Sequence, residues 1–247
     1  MCEHYVARAA EPFRLDELWE LTEKLEHWGI AAHGWGAAWL EADGRLGSYR
    51  DIRAFADDPG RESVGRIETT AALVHLRRPS KLSTIGLADT QPFDDPAGRY
   101  AFSHNGDFAR HLDWRDGYRT AGRIHGRADT ETGARWLEDH WTGATDAPRV
   151  LASLHETFGG RANLAALSAG GEPFHYAGND ENPVFTFRLG RIGLASTGIY
   201  SIDRSLFRYV APGATERHLV ALMTTASLGP DGRPVVRGRI AREAVPA

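Results

Sequence analysis

The chain of 247 residues has one cysteine, which excludes an internal disulfide and any zinc or iron–sulfur site built from several cysteines. It has no long apolar run, since the stretches 71–74 and 219–223 fall far short of a membrane span. It also has no excess of basic residues: 29 Lys and Arg stand against 33 Asp and Glu, a formal net charge of −4. Binding nucleic acid through phosphates needs a basic face, so we expect no nucleic-acid partner and no membrane partner.

The first thirty residues carry acidic side chains and no apolar segment of the kind that a secretory signal contains. The composition, 42% hydrophobic and 25% charged, is typical of a globular protein. These features predict a cytoplasmic protein. No Pro- or Ser-rich linker divides the chain, so we predict a single domain over residues 1–247.

Motifs for metal and coenzyme sites are also missing. The eleven histidines form no H-E-x-x-H pattern and no close pair, and no glycine-rich loop is suited to cradle phosphate. We interpret His75 and His104, which lie beside the motifs described below, as structural donors and not as ligands. The sequence therefore predicts no metal and no cofactor.

Hydrophobic periodicity predicts an α+β protein whose helices pack on sheets. The tail after Leu228 is predicted to be a loosely packed extension, and residues 81–98 an ordered loop. Strands are predicted over 2–7, 34–41, 70–76, 99–103, 163–169, 173–177, 184–189, 192–196, 207–210 and 218–225, and helices over 15–28, 51–57, 129–141 and 148–158.

The position of the single cysteine is informative. If the initiator Met1 is removed, Cys2 becomes the N-terminal residue and carries both a thiol and an α-amine. The pKa of an α-amine is about 7.7–8.0, so the amine is partly neutral at pH 7 and can accept the thiol proton. One residue then supplies nucleophile and base. The alternative interpretation is a buried, inert thiol.

Four short segments suit a site around such a nucleophile. Arg77, in the segment HLRRPS over 75–80, can hold a carboxylate in a two-pronged pair. In SHNGD over 103–107, an Asn amide and a Gly N–H can form an oxyanion hole. In ADTE over 128–131, a carboxylate can accept from an ammonium, and the glycines of GWG over 34–36 permit close backbone approach. Each motif alone is also compatible with an ordinary turn, a helix N-cap or packing.

Taken together and in this order, the motifs resemble those of the class II glutamine amidotransferases, the N-terminal-cysteine branch of the Ntn hydrolases. The stretch GWGAAW over 34–39 is similar to that of small stand-alone members, which include the γ-glutamyl hydrolase of ergothioneine biosynthesis. The resemblance implies a four-layer αββα sandwich. It is carried by Cys2, by H-x-R-x-x-[ST] at His75, Arg77 and Ser80, by H-N-G at His104, Asn105 and Gly106, and by D-T-E at Asp129, Thr130 and Glu131.

The resemblance also implies roles for individual residues. Cys2 is expected to be the nucleophile and its freed α-amine the base, while Asn105 and the N–H of Gly106 stabilise the oxyanion. The expected reaction cleaves the γ-amide of glutamine or of a γ-glutamyl compound through a γ-glutamyl thioester.

Substrate recognition is expected from opposite charges. The resemblance implies that Arg77, assisted by Ser80, binds the α-carboxylate of the glutamyl group and that Asp129 binds its α-ammonium. Two departures from the family pattern, His33 and Arg78, are expected to affect only what lies beyond the scissile amide.

Several alternatives remain open at this point. The chain could supply ammonia to a separate synthase subunit, its only expected macromolecular partner, or be an inactive amidotransferase fold that serves as a binding module. A choloylglycine-type acylase also uses an N-terminal Cys, but that family lacks the H-N-G and R-x-x-[ST] motifs in this order.

Overall fold

The computed structural model describes residues 2–199 and 207–237. Six α-helices lie within these residues: α1 Trp19–Gly29, α2 Gly60–Gly65, α3 Leu112–Thr120, α4 Asp129–His140, α5 Ala147–Phe158 and α6 Phe207–Val210. The strands of the same residues are β1 Glu3–Arg14, β2 Trp35–Leu40, β3 Leu46–Asp51, β4 Glu68–Leu76, β5 Phe93–Asp94, β6 Tyr100–Asp107, β7 Arg161–Ser168, β8 Pro173–Ala177, β9 Val184–Leu189, β10 Ile192–Thr197, β11 Thr215–Leu219, β12 Thr224–Leu228 and β13 Pro234–Arg237.

The strands form two antiparallel sheets. Sheet I has the strand order β11-β9-β10-β1-β4-β2-β3, and sheet II has the order β13-β12-β8-β7-β6-β5. The outer face of sheet I packs against α1 and α6, and that of sheet II packs against α4 and α5. The layers are therefore helix, sheet, sheet, helix, and the predicted αββα sandwich is confirmed.

Small side chains separate the two sheets. Strand β1 directs Val6 toward sheet II and Tyr5 toward α1, because successive side chains of a strand point to opposite faces. The layer between the sheets contains Ala38, Ala71, Leu73, Ala101, Ala165, Leu167 and Ala195. This alanine-rich layer lets the sheets pack closely, and both faces of β4 are buried. The apolar run of β4 follows from that double burial.

Some local predictions are wrong. Asp51 ends β3 and residues 52–57 form bends and a turn, because the carboxylate of Glu26 on α1 accepts the N–H groups of Phe55 and Ala56 that a helix would have used. Residues 207–210 form α6, where Phe207 stacks on Phe185. The predicted strand 218–225 covers the end of β11 and the start of β12, which belong to different sheets.

Other features were not anticipated. Strand β3 and helix α3 were not predicted, since neither has a clear apolar period and α3 buries no residue among its nine. The tail after Leu228 is not loose throughout, because β13 pairs with β12. The rest of that tail, residues 238–247, lies outside the described residues. None of the described helices is long and apolar enough to cross a membrane.

The sheet register brings the start of the chain to the end of β4. Glu3 pairs with Leu76 and His4 with His75, so Cys2 lies beside the residues that follow β4. The facing strand β6 is held there by Ser103, whose Oγ lies 2.8 Å from His4 Nδ1 and 2.7 Å from His75 Nδ1. The two sheets are thereby bonded to each other beside the start of β1.

Candidate active site

A pocket of about 420 Å³ opens where β4, β6 and the start of α4 meet. Five of the six predicted site residues line it: Cys2, Arg77, Ser80, Gly106 and Asp129. The sixth, Asn105, is fully buried beside them. Residues from four separate segments of the sequence thus converge on one cavity.

Cys2 extends the pairing of β1 with β4 by its side chain. Its thiol donates to the carbonyl oxygen of Arg78 (Sγ to O, 3.7 Å), and the N–H of Arg78 donates to the sulfur (N to Sγ, 3.4 Å). Burial raises the pKa of the Cys2 thiol, while the Arg78 N–H and the Arg77 guanidinium act in the opposite direction. With its pKa raised, the thiol is mostly protonated at neutral pH and needs a base to become a nucleophile.

The start of β1 is anchored from the other side by β10. Thr197 Oγ1 donates to the buried carboxylate of Glu3 (2.6 Å) and accepts the N–H of His4 (3.1 Å). Asn182 Nδ2 donates to the same carboxylate at 3.2 Å. These bonds fix the backbone on the C-terminal side of Cys2.

Arg77 is a buried cation with spare hydrogen-bonding capacity. Its Nη2 donates to the carbonyl of Thr84, and its Nη1, although buried, has no partner among the described residues. Its N–H donates to Gly34 O (2.8 Å) and its carbonyl accepts from the N–H of His33, so its backbone is fixed by the first glycine of the GWG segment and by the residue before it. Burial lowers the pKa of Arg77, which nevertheless remains cationic because guanidinium is such a weak acid. A buried, incompletely bonded guanidinium suits an anionic ligand.

Asn105 and Gly106 lie near the end of β6, which is Asp107. Asn105 shares its strand face with Ser103, which bonds to the histidines of sheet I, so its side chain points toward sheet I. Both polar atoms of its side-chain amide lack partners among the described residues. Gly106 has φ +144°, and a Cβ there would lie 1.7 Å from the carbonyl oxygen of Arg161. Only glycine fits at 106.

Asp129 is the first residue of α4. Its Oδ2 accepts the N–H of Phe108 at 2.7 Å, and its Oδ1 accepts that of Thr130 at 2.9 Å. A carboxylate has about four acceptor positions, so capacity remains on the pocket side. Ser80 is exposed at the rim of the pocket.

Two buried carboxylates hold the loop that leads to Asp129. The sequence motifs did not indicate this role for either of them. Glu131 accepts the N–H groups of His125 (2.7 Å) and Gly126 (2.8 Å). Asp89 Oδ1 accepts those of Arg127 (2.6 Å) and Ala128 (2.7 Å). Four consecutive amides are thus satisfied by two acidic side chains. Glu131 was visible in the D-T-E motif, whereas Asp89 lies in the predicted loop 81–98.

Histidines near the site are neutral. Burial holds the pKa of His4 and of His75 well below the usual value and lowers that of His175 to about 3. They are therefore unable to act as charged groups at neutral pH. His75 bonds to Ser103, consistent with a structural donor. Among residues 2–199 and 207–237, no group of three or more His, Cys, Asp or Glu side chains is placed to hold a metal ion.

Solved structures with the same fold include class II glutamine amidotransferases. Glutamine phosphoribosylpyrophosphate amidotransferase from B. subtilis, complexed with ADP and GMP, matches with a TM-score of 0.73 and 16% identity over 96% of this chain. The allosteric regulatory enzyme of purine biosynthesis matches with a TM-score of 0.71 and 15% identity over 94% of this chain. The chain spans about half of each of these proteins, 49% and 48%.

A third structure is similar in length. It is a glutamine aminotransferase class-II domain protein from Silicibacter pomeroyi, with a TM-score of 0.60 and 18% identity over 95% of this chain and 98% of its own. By sequence, no family model and no curated protein matches the chain. The chain therefore has the fold of the class II glutamine amidotransferases, as its motifs predicted.

Proposed function

We propose that this chain is an amidohydrolase that cleaves the γ-amide of glutamine or of a γ-glutamyl compound through a thioester on Cys2. One observation carries the proposal: the only cysteine, the carboxylate of Asp129 and a buried guanidinium whose Nη1 has no partner within the described part of the chain share one pocket. An α-amino acid carries a carboxylate and an ammonium, so a pocket with Arg77 and Asp129 matches both ends of it.

The proposed chemistry begins with the thiol. The α-amine of Cys2, freed by removal of Met1, takes the thiol proton, and the sulfur attacks the γ-carbonyl carbon. The negative charge moves to the carbonyl oxygen, where the Asn105 amide and the Gly106 N–H are proposed to donate. The C–N bond then breaks, and the leaving amine receives the proton. Water attacks the resulting thioester, which releases glutamate and restores the thiol.

The raised pKa of Cys2 supports this division of roles. A thiol that is mostly protonated gains from a base on the same residue, and none of the buried histidines nearby is bonded to the sulfur. Holding the glutamyl group by its charged ends would keep the amide carbon at the sulfur, so that binding energy becomes orientation.

A second role is supported by one observation. Two of the proteins that share the fold are about twice as long as this chain, so the same unit occurs within larger proteins. In that role the chain would act as a glutaminase that supplies ammonia to a synthase partner.

The test is a substrate series for the purified protein. Glutamine and γ-glutamyl amides with leaving amines of increasing size are compared by glutamate release. Faster cleavage of the larger amides supports a γ-glutamyl hydrolase, and preference for glutamine supports an ammonia donor. Hydrolysis of none of them, with a folded protein, contradicts both.

A further inference from the structure

His104 is a buried ring with one nitrogen unaccounted for. It is 2% exposed, lines the pocket, and stacks on Phe108 with 4.0 Å between ring centroids and 9° between planes. Its Nδ1 lies 3.0 Å from Thr130 Oγ1. Its Nε2 is buried and has no partner among the described residues. Which nitrogen carries the proton decides what this ring offers to a ligand.

The side-chain amide of Gln91 has its orientation fixed by the backbone of β6. Its Oε1 accepts the N–H of His104 at 2.6 Å, and its Nε2 donates to the carbonyl of His104 at 3.1 Å. Exchanging the amide oxygen and nitrogen would place donor against donor and acceptor against acceptor. The second proton on Nε2 is then directed at Thr130 Oγ1, 3.4 Å away.

The hydroxyl of Thr130 links the fixed Gln91 amide to the imidazole. Its oxygen accepts a hydrogen bond from Gln91 Nε2, and its own O–H needs an acceptor because the residue is 4% exposed. Among the described residues, the only acceptor in bonding distance of that hydroxyl is His104 Nδ1. Thr130 therefore donates to Nδ1. A neutral ring that accepts at Nδ1 carries its proton on Nε2.

The ring is neutral at physiological pH, because burial lowers the pKa of His104 to about 4. An imidazolium here would repel an ammonium bound by Asp129, the residue next to Thr130. A neutral N–H adds a donor for oxygen without adding charge.

We propose that His104 is a further substrate-binding residue. The hydrogen bonds from Gln91 through Thr130 hold it as the Nε2–H tautomer, and its Nε2–H donates a hydrogen bond to an oxygen atom of the glutamyl substrate. The inference rests on the proposed function for the identity of the ligand. The tautomer rests on the hydrogen bonds alone.

The tautomer is tested directly by NMR. Protein labelled with ¹⁵N at histidine is recorded between pH 8 and pH 5.5, and the His104 signals are assigned by their loss in His104→Phe. The expected result is a neutral ring with its proton on Nε2 throughout this range. A proton on Nδ1, or titration of the ring within the range, overturns the proposal whether or not the protein is active.

The binding role is tested by kinetics with glutamine or the best γ-glutamyl amide. His104→Phe keeps the stacking and removes the donor, and we expect KM to rise about 10- to 100-fold, as for loss of a hydrogen bond to a charged oxygen. His104→Gln places an N–H near the former Nε2 and should recover part of the loss. Thr130→Val should raise KM by less than His104→Phe, since it frees the tautomer and leaves the ring.

The matched control is His175→Phe, which removes another fully buried imidazole that lies outside the pocket. Its KM should equal that of the wild type. A wild-type KM in a folded His104→Phe variant overturns the binding role and leaves the proposed function standing. If the wild type cleaves none of the amides, the proposed function fails and the substrate role of His104 fails with it, while the NMR result still decides the tautomer.

Discussion

The backbone N–H of Arg78 points at the sulfur of Cys2, with 3.4 Å between N and Sγ. The carbonyl of the same residue accepts from the thiol, so Arg78 serves both the protonated and the ionised sulfur. This arrangement depends on the register of β1 against β4, in which Glu3 lies opposite Leu76. A shift of one residue would turn Cys2 to the other face of the sheet, away from Asn105.

Asn105→Ala should lower kcat by roughly 10²–10³, the usual effect of losing one oxyanion donor. KM should change little, because the charge that the amide stabilises appears only in the transition state. Steady-state kinetics separate the two constants. A change confined to KM would show that Asn105 binds the ground state or shapes the turn. A fall in activity that only matches the fall in the fraction of folded protein would show a structural role.

Arg77 and Asp129 should recognise the free α-carboxylate and the free α-ammonium of the substrate. The two side chains form no ion pair with each other: Arg77 donates to Thr84, and Asp129 accepts from Phe108 and Thr130. Arg77→Ala should therefore weaken substrate binding by about 2–5 kcal/mol, the range for a buried charge left unpaired. Arg77→Lys should recover only part of this, since a lysine lacks the two-pronged donor.

The measurement that goes with Arg77 is a comparison of glutamine with N-acetylglutamine and with glutamine α-esters. The blocked compounds should not be cleaved, because each leaves one charge of the pocket unpaired. Equal rates on free and blocked substrates would refute recognition by Arg77 and Asp129.

Asp89 should be needed for the shape of the loop before Asp129. Asp89→Ala leaves the N–H groups of Arg127 and Ala128 without their acceptor, and we expect a loss of about 2–4 kcal/mol in the free energy of unfolding. Asp89→Asn retains an acceptor oxygen and is the matched control, with a smaller loss. Denaturant unfolding measures both, and equal stability of Asp89→Ala and the wild type would contradict the loop's dependence on this carboxylate.

Acid should destabilise the protein through its buried histidines. The pKa values of His4, His75, His104 and His175 are lowered in the folded state, the last two to about 4 and about 3. Below about pH 6.5 the unfolded chain takes up protons that the folded protein does not, so unfolding becomes easier as pH falls. Each such group contributes up to about 1.4 kcal/mol per pH unit.

Unfolding free energies at pH 8, 6.5 and 5 test this slope, since the range lies above the ordinary pKa values of carboxylates. His175→Phe should reduce the slope, because it removes one of the four imidazoles whose pKa is lowered by burial. A slope that stays the same in that variant would contradict the assignment.

Local sequence patterns predicted the elements that bury either a continuous apolar run, as β4 does, or one apolar face, as α4 does. The strand over 70–76 and the helix over 129–141 correspond to β4 and α4, and the motif residues at their ends converge on the pocket. The contributions of Asp89 and Gln91 were not predictable in this way. Their partners lie 38 or 39 and 13 residues further along the chain, and nothing in an irregular loop indicates which distant amide a side chain will bond.

The same reason explains why the prediction of a helix over 51–57 is wrong. Its apolar residues have helical spacing, but Glu26 captures two of its amides from α1. A tertiary hydrogen bond of this kind overrides local propensity.

The central claim is that Cys2 is an N-terminal nucleophile, and intact mass spectrometry tests it most directly. The purified protein is weighed before and after treatment with a glutamine analogue that carries a chloromethyl ketone in place of the amide, so that the sulfur displaces chloride and forms a stable S–C bond. Since Cys2 is the only cysteine, we predict a chain that begins at Cys2 and gains the mass of one analogue less HCl, with no gain in Cys2→Ala. An active protein that retains Met1, or an adduct that forms equally in Cys2→Ala, would contradict the account.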